Sequence, residues 1–312
     1  MDEKQSLVTS NSELQTSNLV PHGLLNIAKP AGVSSRHVVT QIEHALDPLP
    51  VGHAGTLDPL ATGVLVICVG RATKLVDHLH RFSKTYVGTF LLGRSSDTED
   101  VTGNVEFLPA ARQPTREELE IALPRFTGEI LQQPPAFSAL KVGGKRSYKL
   151  ARRGKAVELQ PRPITVHRLA IERYEYPELQ LAIECGSGTY VRSLGRDLAR
   201  AVGTEAVMSQ LCRTSIGPFQ LSAALAPEQV DAGNLPLLLA SSLLAIGGLQ
   251  RVALTAKQAA ELSRSGVIFD LPLRAEDYAG GAEVAGLAPD GRLFAILTPS
   301  KGDRWKVKTL LG

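Results

Sequence analysis

Gly52-His53-Ala54-Gly55-Thr56-Leu57-Asp58-Pro59 is a loop of small residues that delivers one carboxylate immediately before a proline. Pro59 drives Asp58 out of the helical region and fixes its own φ. Gly52 and Gly55 accept backbone angles that other residues resist. Directly behind the loop, Gly63-Val64-Leu65-Val66-Ile67-Cys68-Val69-Gly70 sets six apolar residues between two glycines, which reads as a buried strand. The fold must therefore hold a polar loop rigidly beside a core strand, a sound mount for a reactive side chain. Asp-Pro pairs also open ordinary turns, and Asp58 by itself reads first as a turn or cap residue.

The surrounding chain alternates irregularly between strand and helix patterns. Leu24-Leu25-Asn26-Ile27 is a short strand, followed by the turn Lys29-Pro30-Ala31-Gly32. Ser34 or Ser35 then caps a helix whose apolar residues Val38, Val39, Ile42 and Leu46 share a face. Lys84 to Gly93 reads as a strand, and Thr115-Arg116-Glu117-Glu118 is a capping box opening a helix through Leu119, Ala122, Leu123 and Phe126. Leu179 to Cys185 alternates like a strand. Behind it, Val191, Leu194, Leu198 and Val202 mark a helix that Gly203 stops.

With 312 residues, the chain has material for about two domains. The 34 lysines and arginines barely outnumber the 31 acids, so only local clustering can speak for a polyanionic partner. Lys141 to Lys155 supplies it: Lys141, Lys145, Arg146, Lys149, Arg152, Arg153 and Lys155, with no acid and with Tyr148 interleaved. A solvated face normally mixes signs, and seven unopposed cations fit phosphate binding better.

Cys68, Cys185 and Cys212 read as reduced thiols of a cytoplasmic protein, and no Cys or His spacing suggests zinc. Residues 1–22 read as a disordered polar tail with neither a signal nor a transit pattern. Ala232 to Gln250 carries no charge, but Pro236 and Gly247-Gly248 interrupt it. A buried helix leading into a linker is expected there rather than a membrane span. Residues 249–312 read as a separate module: a capping box at Thr255, a helix stop at Gly266, a hairpin around Pro289-Asp290-Gly291 and a last strand from Trp305.

The loop extended to Gly-His-Ala-Gly-Thr-Leu-Asp-Pro-Leu-Ala-Thr-Gly-Val-Leu (52–65), with Gly70-Arg71-Ala72-Thr73-Lys74 behind it, resembles the signature of the TruB family of pseudouridine synthases. The resemblance continues through Lys29-Pro30-Ala31-Gly32-Val33-Ser34-Ser35, where Ala28 stands in place of a frequent Asp, and through Lys84-Thr85-Tyr86. It also covers Ser96-Asp97-Thr98-Glu99-Asp100-Val101-Thr102-Gly103, Gly188-Thr189-Tyr190-Val191-Arg192, and Leu211-Cys212-Arg213-Thr214 to Phe219, where Cys212 departs from the pattern.

It implies catalytic roles for three residues. Asp58 would be the nucleophile, Tyr86 the ring that stacks on the target base, and Arg192 the cation touching Asp58. Asp100 would pair with that arginine, and His53 would fill the space left by a flipped nucleotide. Lys29 and Tyr190 would join the RNA-binding set, although a lysine in a turn reads first as simply solvated. The basic insertion at 132–155 resembles a thumb that grips the tRNA T arm, with Lys141, Lys145, Arg146, Lys149, Arg152 and Arg153 as its contacts.

The expected fold is α+β: a mixed, largely antiparallel sheet in residues 23–248, followed by a small PUA-like β barrel. The expected reaction is isomerisation of uridine 55 in the T loop of tRNA by a monomer that needs no cofactor or metal, since no electrons leave and nothing is added. The nucleophile must be ionised, which a neighbouring Arg192 would favour. Competing readings are a guide-RNA-dependent synthase of the dyskerin type and a non-catalytic tRNA-binding or folding protein. A metal hydrolase built on Asp58, Asp97 and Asp100 is more distant.

Overall fold

The computed structural model describes residues 21–138, 141–142, 145–147 and 159–312. The expectations placed on residues 1–20, and on Lys149, Arg152, Arg153 and Lys155, lie outside these. Its first part is built on strands β1 (Gly23–Lys29), β2 (Val51–Ala54), β3 (Thr62–Val69), β4 (Lys84–Leu92), β5 (Arg94–Ser96), β6 (Val105–Phe107) and β7 (Gly128–Gln132). The short pair β8 (Lys141–Val142) and β9 (Lys145–Arg146) follows, then β10 (Arg162–Glu175), β11 (Glu178–Cys185), β12 (Ala206–Ile216) and β13 (Phe219–Gln220). Nine of these form one sheet in the order β1-β3-β12-β4-β11-β10-β7, with β2 beside β3 and β13 beside β12. Every pairing in it is antiparallel except β3 with β12. The architecture is α+β with a mixed, largely antiparallel sheet, as expected.

The apolar run of β3 sits where the sheet forks. One edge of β3 pairs with β1 along its whole length, from Lys29↔Gly63 to Gly23↔Val69. The other edge is shared: β2 takes Val66 to Val69, and β12 takes only Thr62 and Gly63. Seven of the eight β3 residues are buried, which explains an uninterrupted apolar run rather than an alternating one. The Asp58 loop is the chain that peels off as β2 ends and returns as β3 begins.

Helix α1 (Ser35–Ala45), N-capped by Ser34, buries Val38, Val39 and Ile42 against β1 and β3. After α2 (Val76–His80), helix α3 (Arg116–Ala122) has the expected capping box at Thr115. It does not run on to Phe126. Pro124 removes a backbone donor, and Leu123–Phe126 tightens into a 3₁₀ turn. Helix α4 (Val191–Ala201) lays Val191, Leu194 and Leu198 on the core of β4, β10, β11 and β12.

The expected helix in 232–250 is not formed. Only α5 (Leu235–Leu238) and a 3₁₀ turn at Ser242–Ile246 appear, and Leu237 is 88% exposed. Leu239 turns extended so that Ala240 can exchange both backbone hydrogen bonds with Leu24, extending the pairing of β1. That tertiary pairing overrides a local apolar pattern.

The last part has strands β14 (Gln250–Ala253), β15 (Val267–Ile268), β16 (Val284–Leu287), β17 (Leu293–Ser300) and β18 (Arg304–Leu310), in the order β14-β16-β17-β18-β15. Helix α6 (Ala256–Ser265) has the Thr255 capping box and stops at Gly266 in the left-handed conformation. Trp305 is fully buried, its indole N–H donating to the Leu273 carbonyl at 3.0 Å. The module also shares a core with the large sheet, since Ala285, Leu293, Ile296 and Leu311 pack with Val64, Val66 and Cys68. Buried Glu283 locks the two together. It accepts from Arg81 at 2.6 Å and from Lys308 at 2.5 Å, and these partners hold its carboxyl down at about 2.

Candidate active site

Buttresses from the first motif hold the Asp58 loop. Ser35 Oγ accepts from the Leu57 amide at 2.8 Å and lies 3.0 Å from the Leu57 carbonyl. The Gly32 amide donates to the Pro59 carbonyl at 2.8 Å. Gly55 adopts φ +91°, which only glycine takes without strain. Lys29 is neither solvated nor open to a ligand: it is 1% exposed, and its Nζ donates to the carbonyls of Pro30 at 2.7 Å, Val33 at 2.8 Å and Pro59 at 3.4 Å. A buried ammonium needs several acceptors, and the turn carbonyls supply them. Its placement is that of a brace between turn and loop.

Asp58 keeps its carboxylate 43% exposed at the rim, with Oδ2 3.0 Å from Nη2 of Arg192. Arg192 itself is buried at the start of α4. Its Nη1 lies 3.4 Å from Asp100 Oδ2 and donates to the Thr98 carbonyl at 2.6 Å, and its Nη2 also donates to the Phe137 carbonyl at 3.2 Å. Asp100 is buried too, its Oδ1 accepting from Thr98 Oγ1 at 2.7 Å and from the Thr102 amide at 2.9 Å. One guanidinium thus joins a half-open carboxylate to a closed one. Such an arrangement orients the Asp58 carboxylate through Oδ2 and leaves it part-exposed at the rim. Asp97 is not part of it, since its Oδ1 accepts from the Asn104 amide at 2.9 Å.

Tyr86 stands on β4 opposite Arg213 of β12, its ring 9% exposed and its centroid 6.0 Å from that guanidinium. Burial raises its hydroxyl above the usual range, so it stays protonated and presents a neutral ring. His53 lies on β2 with Nδ1 buried and unpartnered among the described residues. Burial first, then the Arg213 charge, lowers its pKa and keeps it neutral. Tyr190 is clamped by Gln132, which accepts from its amide at 2.8 Å and donates to its carbonyl at 3.0 Å. The Arg162 guanidinium lies 5.0 Å from its ring centroid. Lys141, Lys145 and Arg146 fall on β8 and β9, away from this cluster in sequence.

Two buried cations were legible as letters in motifs but not as working parts. Arg213 is 1% exposed, donating from Nε to the Val64 carbonyl at 2.7 Å and from Nη2 to the Gly55 carbonyl at 3.0 Å. These acceptors lie where the sheet forks and strand partners run out, so Arg213 satisfies backbone that would otherwise be orphaned. Lys84, also buried, donates to the carbonyls of His80 at 2.8 Å and Phe82 at 2.5 Å and to Ser187 Oγ at 2.6 Å.

These lysines give the protein a signature in alkali. Burial holds both Lys29 and Lys84 down at about 8, from 10.5. Below pH 8 each carries the full cost of a buried charge. Between 8 and 10.5 the unfolded chain binds more protons, so stability rises with pH. Burial pushes Cys68 up to about 12 and Cys185 up to about 11, from 9, so above pH 9 these thiols offset the rise. Stability should rise from pH 8 to 9 and then level off. Urea midpoints measured at half-unit steps check this, and Lys84→Met should flatten the rise by about half.

The chain is similar to known proteins along most of its length. The model of the TruB family pseudouridylate synthase N-terminal domain matches residues 44–191. The tRNA pseudouridine synthase B of Streptomyces avermitilis is 36% identical over 299 residues, 93% of this chain and 96% of that protein. That of Symbiobacterium thermophilum is 41% identical over 243 residues, 77% and 81% of the two chains. Among solved structures, a chain of a Cbf5-Nop10-Gar1 complex superposes with TM-score 0.68 at 22% identity, covering 92% of this chain and 84% of that one. A chain of an H/ACA RNP bound to a substrate RNA containing 2′-deoxyuridine gives 0.67 at 21%, covering 93% and 85%. At that identity the superpositions speak for the fold.

Proposed function

The chain belongs to the TruB family of pseudouridylate synthases, and on that premise we propose that it isomerises uridine 55 in the T loop of tRNA through Asp58. It is an isomerase acting on tRNA, and the reaction needs only positioning and one nucleophile. The N1–C1′ bond of uridine breaks, the base turns, and C5 joins C1′. The proton lost from C5 is balanced by one gained at the freed ring nitrogen, so composition and oxidation state are unchanged.

The observation that carries this reading is the half-open Asp58 carboxylate bound to a buried Arg192. A surface aspartate with no task has no need of a cation buried behind it and fixed by a second buried carboxylate. The target base must leave its stack to reach the site, at a cost of a few kcal/mol. Stacking on Tyr86 would offset about 1–3 kcal/mol of that, with neutral His53 in the space the nucleotide vacates and Tyr190 lining the same site. Lys141, Lys145, Arg146, Lys149, Arg152 and Arg153 would grip the T-arm phosphates, and residues 249–312 would reach the acceptor end. The chain would act as a monomer in the cytoplasm; among the described residues no helix is long and apolar enough to cross a membrane.

The test is tritium release from C5-labelled uridine in unmodified tRNA transcript, with the purified chain and no guide RNA. Release of about one equivalent per tRNA, abolished when uridine 55 is replaced by cytidine, is the expected result. Release that persists with cytidine at that position would assign another uridine. Release that requires added guide RNA would assign a guide-dependent enzyme.

A further inference from the structure

Arg192 is held by a loop whose shape depends on a second arginine one turn along the same helix. Residues 96–103 run between β5 and β6 and supply both the Thr98 carbonyl and the Asp100 carboxylate that Arg192 touches. Glu99, between them, has φ +63°, a left-handed conformation that costs a non-glycine residue energy. That turn lets the groups on either side of it converge on one nitrogen, Nη1 of Arg192. On its far side the loop is tied to β12, the Met208 amide donating to the Glu99 carbonyl and the Val101 amide to the Met208 carbonyl, both at 3.0 Å.

The side chain of Glu99 points into α4 rather than to solvent. Ser193 Oγ donates to its Oε2 at 2.6 Å, and Arg196 pairs with its Oε1; the Glu99 and Arg196 side chains are 12% and 10% exposed. Arg196 also donates from Nε to Asp197 Oδ1 at 2.8 Å and from Nη2 to the Gln133 carbonyl at 3.2 Å. Gln133 follows Gln132, which clamps the Tyr190 backbone. The pair therefore sits where the 96–103 loop, the start of α4 and the strand leading to the basic insertion meet. It touches neither Asp58 nor Tyr86.

Resting on the reading of Asp58 and Arg192 given above, we infer that Glu99 and Arg196 are positioning residues for Arg192. The ion pair holds the strained turn that aims the Thr98 carbonyl and the Asp100 carboxylate at one guanidinium. Without it the loop relaxes, Arg192 loses its fixed orientation, and Asp58 loses the partner that orients it. Burial raises the pKa of Glu99, against the pull of Arg196, which makes the pair more dependent on its arginine than an exposed pair would be. Neither residue belongs to the RNA-binding set proposed above, so the defect should fall on turnover.

The experiment compares Glu99→Gln, Arg196→Gln and the double variant with wild type, measuring single-turnover rate, tRNA Kd and thermal midpoint, with Asp58→Asn alongside. Each single variant should lose about 10- to 100-fold in rate, the scale of a misaligned electrostatic partner, with Kd within about twofold. The double variant should be no slower than the worse single one, because the two act as a unit. Glu99→Gly accepts the positive φ without strain and should recover part of the rate lost in Glu99→Gln if the turn is what matters. Rates within twofold of wild type, or losses that follow Kd or the thermal midpoint alone, would overturn the positioning role. If Asp58→Asn turns over normally, the underlying assignment fails instead, so the two failures are distinguishable.

Discussion

Asp58→Asn should lower turnover by about 10⁴-fold or more, equivalent to at least about 5.5 kcal/mol of transition-state stabilisation at ~1.36 kcal/mol per decade. If Asp58 is the nucleophile proposed above, its removal leaves no partial substitute on the same atom, so the loss exceeds the 10²- to 10³-fold typical of deleting one electrostatic donor. The amide is nearly isosteric, and the site around it survives. Arg192 still has Asp100 at 3.4 Å and the carbonyls of Thr98 and Phe137, so no buried charge is abandoned. Asp58 is also the exposed member of the pair, so its neutralisation costs the fold little. Unmodified tRNA should therefore bind within about twofold of wild type. The combined result to look for is full binding in a filter or anisotropy titration with no tritium release over hours. Turnover within tenfold of wild type would remove Asp58 from the chemistry.

Gly63→Ala should destabilise the protein by about 3–5 kcal/mol, combining backbone strain at positive φ with overpacking of a closed contact. Gly63 adopts φ +104° at the start of β3, opposite Arg213 in the parallel pairing of β3 with β12. An added Cβ would overlap the Arg213 carbonyl oxygen and lie 2.7 Å from its amide nitrogen. Both atoms are backbone, so no rotamer change relieves the clash. The two strands must part at the fork that carries the Asp58 loop. A chemical-denaturation midpoint shift of that size is expected, with activity lost even in the folded fraction because Arg213 no longer spans Val64 and Gly55. Gly32→Ala is the control. Its φ is +83°, but nothing lies within 4 Å of a built Cβ, so strain acts there without a clash and the cost should be about 1–2 kcal/mol.

Local chemistry carried a large share of this structure in the letters themselves. Ser34, Thr115 and Thr255 cap helices because a hydroxyl meets orphan amides at any N-terminus, and Gly266 ends one because it accepts a left-handed φ. The run from Val64 to Val69 is a core strand because six consecutive apolar residues can be buried only where both faces are covered. Asp58, Tyr86, Asp100 and Arg192 could be named from motif order, and the fold brings Asp58, Asp100 and Arg192 into direct contact across sequence gaps of tens of residues. What the letters could not carry is which backbone groups the sheet would leave unpaired. That depends on where β2 leaves β3 and β12 joins it, a matter of long-range strand pairing. Arg213 and Lys29 look like ordinary surface cations until that geometry turns carbonyls inward around them. Likewise Glu99 and Arg196 are nearly a hundred residues apart, and only the packing of α4 on the 96–103 loop makes them one ion pair. Residue type and spacing determined most of the elements, and the motif resemblance named the candidate reacting groups; desolvation and backbone satisfaction, which exist only once the chain is packed, decided which charges brace the site.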